Sequence, residues 1–149
     1  MTAPEPVTHD DIDSIAAWTV IRAARELARM LEVELRATGL SPVEFGVLAQ
    51  LAAADGLSQA ELARAVGVRP QSMTTLTASL IGRSLIARGV EAGRGRHSRI
   101  GLTDTGRALL ADAWPVVTAS NDWFGADHTR VTNLVGLLQP MLGSTHGSD

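Results

Sequence analysis

Cysteine, tyrosine and lysine are all absent from this chain of 149 residues. Without cysteine there can be no disulfide, no thiolate zinc site and no thiol redox switch. Aromatic residues are few, and none lies in the most basic part of the chain, which argues against RNA binding by base stacking. No apolar run approaches the ~18 residues of a membrane span. The opening MTAPEPVTHDDID is acidic and has no apolar segment, so a secretory signal is not expected and a cytoplasmic location is the default. No glycine motif cradles a phosphate and no serine elbow is present. His9, His97, His128 and His146 show no zinc-ligand spacing with carboxylates. No enzyme activity, metal or cofactor is expected.

Apolar residues make up 45% of the chain and charged ones 19%, enough hydrophobic material for one folded domain. The net charge of -3 hides an uneven distribution. Residues 58–107 hold eight arginines against three acids, a surplus of +5. The remainder has five arginines and thirteen acids, or -8. A basic middle between acidic ends points to a polyanionic partner for the middle. Arginine forks suit phosphate and guanine, although codon bias explains an arginine-only chain equally well.

Apolar positions recur at helical spacing from Asp10 to Arg36 without Gly or Pro, predicting one long helix. Its apolar surface is broader than one small domain needs, which implies burial against a second chain. Ser41-Pro42 with Glu44 and Ser58 with Glu61 form two capping boxes, each opening a helix. Gly67 ends the second of these, and Arg69-Pro70 opens a third running to about residue 83. Alternating stretches at 85–90 and 98–102 predict a hairpin, with Ile86 and Val90 facing Ile100 and Leu102. Thr103 then caps a helix from Asp104 to about Phe124, which Pro115 should kink or split. A last helix spans 127–139.

Two short helices joined by a glycine-containing turn make a helix-turn-helix, and the following hairpin makes it winged. The second helix of such a pair fits the DNA major groove. Met73, Leu76 and Leu80 would hold it to the core, while Arg69, Gln71, Ser72, Thr74 and Thr75 crowd its first turns. Gln reads adenine, Arg reads guanine, and the helix N-terminus attracts phosphate. Ser and Thr often only cap, and that plainer role stays open for each. The hairpin loop lies within RGVEAGRGRHSR, residues 88–99, whose Arg94 and Arg96 would sit along the DNA backbone or in the minor groove. His97 is a phosphate contact or idle.

With these elements the chain resembles the MarR family of transcriptional regulators over about residues 12–142. The matching stretches are LSPVEFGVLAQL, GLSQAELARAVGV, the Met73–Leu80 run, Leu85-Ile86-Ala87-Arg88 and IGLTDTGRALL. The resemblance implies a mainly α fold with a small β-hairpin wing, forming an obligate dimer through intertwined N- and C-terminal helices. Residues 10–36 and 104–142 would be dimerisation helices, 41–103 the winged helix-turn-helix, and 143–149 a disordered tail. It implies a regulator of double-stranded DNA acting at a pseudo-palindromic operator, as a repressor, with Arg88 joining the DNA-binding set. It also implies a small aromatic or lipophilic effector bound between the dimer helices and the winged domain, where Trp18, Arg22 and Phe45 would lie. The plainer reading makes Trp18 and Phe45 core and Arg22 a solvated charge.

Three positions depart from the family pattern. Arg94 occupies a position usually acidic in the wing, although Arg96 matches the family arginine. Thr75 stands where arginine is common, and Ser84 where glycine usually ends the reading helix. A rival function is a winged-helix dimer that binds a protein partner and no DNA.

Overall fold

The computed structural model describes residues 5–89 and 99–143. The helices run α1 (His9–Asp13), α2 (Ala16–Leu35), α3 (Pro42–Ala53), α4 (Gln59–Val66), α5 (Pro70–Gly82), α6 (Asp104–Ala119) and α7 (His128–Leu138). Strands β1 (Ile86–Arg88) and β2 (Ile100–Leu102) lie between α5 and α6. Short 3-10 turns follow α2, α6 and α7.

The capping chemistry works as the sequence predicts. The Ser41 and Ser58 hydroxyls accept from the Glu44 and Glu61 backbone N–H groups, and both carboxylates reach back to the cap N–H. Gly67 ends α4 at a φ of 72°, in the left-handed region that glycine enters without strain. The Thr103 hydroxyl accepts from Gly106 N–H to open α6.

Two expectations need correction. The predicted helix over 10–36 is broken at Ser14–Ile15, where Ile15 is extended. The Ser14 hydroxyl donates to Asp11 O at 2.7 Å, and the Thr19 hydroxyl donates to Asp13 O at 3.3 Å. Side chains thus take carbonyls near the break and compete with helix propagation. In contrast, α6 is not split at Pro115. Pro115 and Ala111, whose carbonyl loses its helical partner, are both exposed, so water can meet the freed group. The α-helix instead ends at Ala119 and continues to Phe124 as a 3-10 turn.

β1 and β2 pair antiparallel with Ile86 opposite Leu102 and Arg88 opposite Ile100. Ile86 and Ile100 both point into the core. Leu57, ahead of α4, adds an unexpected isolated bridge to β2: its N–H donates to Ile100 O at 3.0 Å and its carbonyl accepts from Ile100 N–H at 2.7 Å. The core centres on Leu48, Leu62, Met73, Leu80, Ile86 and Ile100 of the winged helix-turn-helix, and Leu35 from the end of α2 and Leu110 and Ala113 of α6 close it. Of α2 only Leu35 is buried, and of α7 nothing is.

Candidate nucleic-acid interface

α5 is amphipathic across its first two turns. Met73, Thr77 and Leu80 are buried and Leu76 is half-buried, while Arg69, Gln71, Ser72, Thr74 and Thr75 are all exposed. The helix therefore stands on its apolar face and presents the five predicted polar residues outward. Arg69 occupies the N-cap position but supplies no side-chain cap, and Pro70 has no N–H to give. The positive end of α5 is left open to an incoming anion.

A short polar network ties this helix to its neighbours. The Gln59 amide, at the first turn of α4, donates from Nε2 to Thr74 Oγ1 at 2.9 Å. Thr74 Oγ1 donates in turn to Pro70 O at 3.1 Å. From the wing side, Arg88 Nη2 donates to Gln59 Oε1 at 3.1 Å. Two predicted site residues from different elements, Thr74 and Arg88, thus meet through a third that the sequence reading missed. Nothing in the spacing of 59, 74 and 88 signals this; only the packing of α5 against both α4 and β1 creates it.

The base of the wing is also anchored. Arg99 Nη1 donates to Gly56 O at 2.7 Å. Glu61 lies nearby with its carboxyl held below the ordinary range, chiefly because Ser58 N–H donates to it at 2.8 Å, with help from the Arg99 and Arg64 charges. Arg94 and Arg96, predicted at the wing tip, lie outside the described residues, as do Val90, His97 and residues 144–149 of the expected tail.

The three residues expected at an effector site are not gathered by any described contact. Phe45 packs against Trp114 of α6, with ring centroids 5.9 Å apart and planes tilted by 36°. Trp18 remains 39% exposed. Arg22 pairs with Asp13 at 3.3 Å on an open face of α2. Among the described residues no cluster of His, Asp and Glu is arranged to hold a metal, and no helix is long and apolar enough to cross a membrane.

Comparison with known proteins places this geometry. A sequence model of the MarR family matches residues 38–97. The HTH-type transcriptional repressor Rv2887 of Mycobacterium tuberculosis is 35% identical over 109 residues, covering 73% of this chain and 78% of that protein. A structure of the Mycobacterium tuberculosis MarR family protein Rv2887 in complex with salicylic acid superposes with a TM-score of 0.69 at 30% identity, over 87% of this chain and 97% of the other. The transcriptional repressor CouR, bound to a 23-mer DNA duplex, superposes with a TM-score of 0.79 at 24% identity, over 92% and 99% of the two chains.

Proposed function

The chain belongs to the MarR family of transcriptional regulators, and from that membership we propose that it is a dimeric repressor that reads a pseudo-palindromic DNA operator and responds to a small effector. The observation that carries the DNA reading is the exposed polar face of α5, with its uncapped N-terminus and with Arg88 tied alongside. Arg69, Gln71, Ser72, Thr74 and Thr75 would meet base edges and phosphates in the major groove, and Arg88, Arg94 and Arg96 would follow the backbone into the adjacent minor groove. The name of Rv2887 as a repressor and the CouR complex with DNA support this reading.

Residues 41–103 would form the DNA-binding unit, with 10–36 and 104–142 supplying the dimer interface. Trp18, Val20 and Ile21 of α2, Val135 and Leu137 of α7, and Met141 and Leu142 beyond it are all exposed. An apolar surface of that extent on two helices with almost no buried residue fits an isologous twofold contact. For the effector we propose a small aromatic acid, in line with the salicylic acid bound by Rv2887. Trp18 and Phe45 would supply apolar wall, and Arg22 would exchange Asp13 for the ligand's carboxylate.

The test is to sequence the genomic fragments that the purified protein retains. A shared motif with half-sites about one helical turn apart, roughly 34–36 Å, is expected from twofold symmetry. Retention without any common motif would defeat the operator reading, and no retention at low salt would favour a protein partner instead.

A further inference from the structure

We propose that Gln59 is a positioning residue of the DNA interface, whose amide clamps the Thr74 hydroxyl of the reading helix and the Arg88 guanidinium of the wing strand into one polar ridge. The proposal rests on the DNA reading above and adds to it a residue that does not itself have to touch a base.

Gln59 is well placed to hold others still. It is the first residue of α4, directly after Ser58, where the capping box with Glu61 fixes the backbone. Its amide offers a donor and an acceptor on one planar group, and the two are used in opposite directions. Nε2 faces Thr74 and Oε1 faces Arg88. A side chain bonded at both ends loses rotamers, and it passes that order to its partners.

The bonding restricts what Thr74 can read. A hydroxyl has one proton and two lone pairs. The Thr74 proton goes to Pro70 O, and one lone pair receives Gln59. It therefore has no proton left for the guanine or thymine oxygens of the major groove. What remains is a single lone pair, suited to the amino groups of adenine or cytosine, and a methyl group suited to the thymine methyl. Gln59, Ala60, Pro70, Gln71 and Thr74 also line one open indentation of about 370 Å³, so Gln71 stands beside the clamp.

Each of these bonds is solvent-exposed and adds little to folding stability. Their effect belongs in recognition, where residues ordered in advance bind without paying for their ordering at contact. The experiment compares the full chain with its Gln59→Ala, Thr74→Val and doubly substituted variants. Each binds a duplex drawn from the retained fragments and a scrambled duplex of equal length. Gln59→Ala should lower the ratio of the two affinities about fivefold to tenfold, within the range of one good base contact. Thr74→Val should do the same, and the double variant should lose clearly less than the two single losses combined, because the Gln59–Thr74 bond is counted in both. Additive losses, an unchanged ratio, or equal weakening on both duplexes would overturn the clamp. A DNA-free measurement separates this outcome from failure of the DNA reading. In the nuclear magnetic resonance spectrum, the Arg88 guanidinium should rotate slowly in the wild type and freely after Gln59→Ala. Free rotation in the wild type would overturn the proposal even if operator binding is strong, whereas slow rotation without any retained fragment would sink only the DNA reading.

Discussion

Ser84 has a φ of 59°, the left-handed region that a Cβ disfavours by about 1–2 kcal/mol. At this corner between α5 and β1, Leu85 N–H donates back to Leu80 O at 3.0 Å, the helix-end bond that goes with a left-handed residue, and the Ser84 carbonyl accepts the Thr103 hydroxyl at 2.7 Å. Ser84→Gly should therefore raise stability, by about 0.5–1 kcal/mol after the added chain entropy of glycine. Gly106 poses the opposite case. A Cβ there would collide with the Leu85 carbonyl oxygen, which is already fixed by Thr103 N–H at 3.2 Å. Gly106→Ala should destabilise by about 2–3 kcal/mol, although the same change at an open helical site would stabilise. Urea midpoints of the two variants decide both signs.

Glu61 adds a pH dependence at the same scale. Its carboxyl titrates below its ordinary value of 4.5, first because Ser58 N–H favours the charged form. A depressed folded value means that the stabilisation is complete above about pH 4.5 and fades as the pH falls through the folded value. Thermal melts from pH 7 down to pH 3 should show a smaller acid-side loss in Glu61→Gln than in the wild type. Parallel curves would show that the carboxylate gains nothing from folding.

Among the elements, α5 and the wing should fail in different ways. If Gln71 meets a base edge, Gln71→Ala should lower affinity for the cognate duplex by about 1–3 kcal/mol and relax preference at one position per half-site. Circular dichroism should not change, because Gln71 is exposed and buries nothing. Equal weakening on every sequence would mean that it touches only phosphate. If the wing meets DNA as proposed, it acts through charge. Replacing Arg94 and Arg96 by Ala removes up to four charges from a dimer's interface. The slope of log K against log salt should then become shallower by about 0.9 for each lost phosphate contact. An unchanged slope would leave the loop a solvated bystander.

For the whole molecule the main prediction is assembly. Leu137 is 70% exposed, Met141 79% and Leu142 71%, on a stretch with no core of its own. Water contact on that scale is unfavourable for a free chain and is relieved when a twofold partner covers it. Light scattering at micromolar concentration should report about twice the chain mass of 15.7 kDa. Leu137→Asp should shift the population toward smaller species and weaken operator binding along with it. A folded wild-type monomer at that concentration would refute the dimer.

Local signals determine much of this architecture without any tertiary contact. Ser41, Ser58 and Thr103 each carry the hydroxyl that a helix start requires, and Gly67 can take the left-handed turn that ends α4. The exposed face of α5 is equally legible, since Met73 and Leu80 recur at helical spacing and leave the polar residues outside. These features involve partners within a few residues, so spacing alone determines them. The break at Ser14–Ile15 was hidden, because apolar periodicity continues across it while side-chain bonds to Asp11 and Asp13 interrupt the backbone. Pro115 does not split α6, because the residue whose carbonyl loses its partner is exposed and open to water. Tertiary structure alone decided the rest. It set Leu57 beside Ile100, Trp114 against Phe45, and Gln59 between Thr74 and Arg88. Each joins residues 15 or more positions apart, and no local propensity records which distant groups a packed core will bring within hydrogen-bond reach.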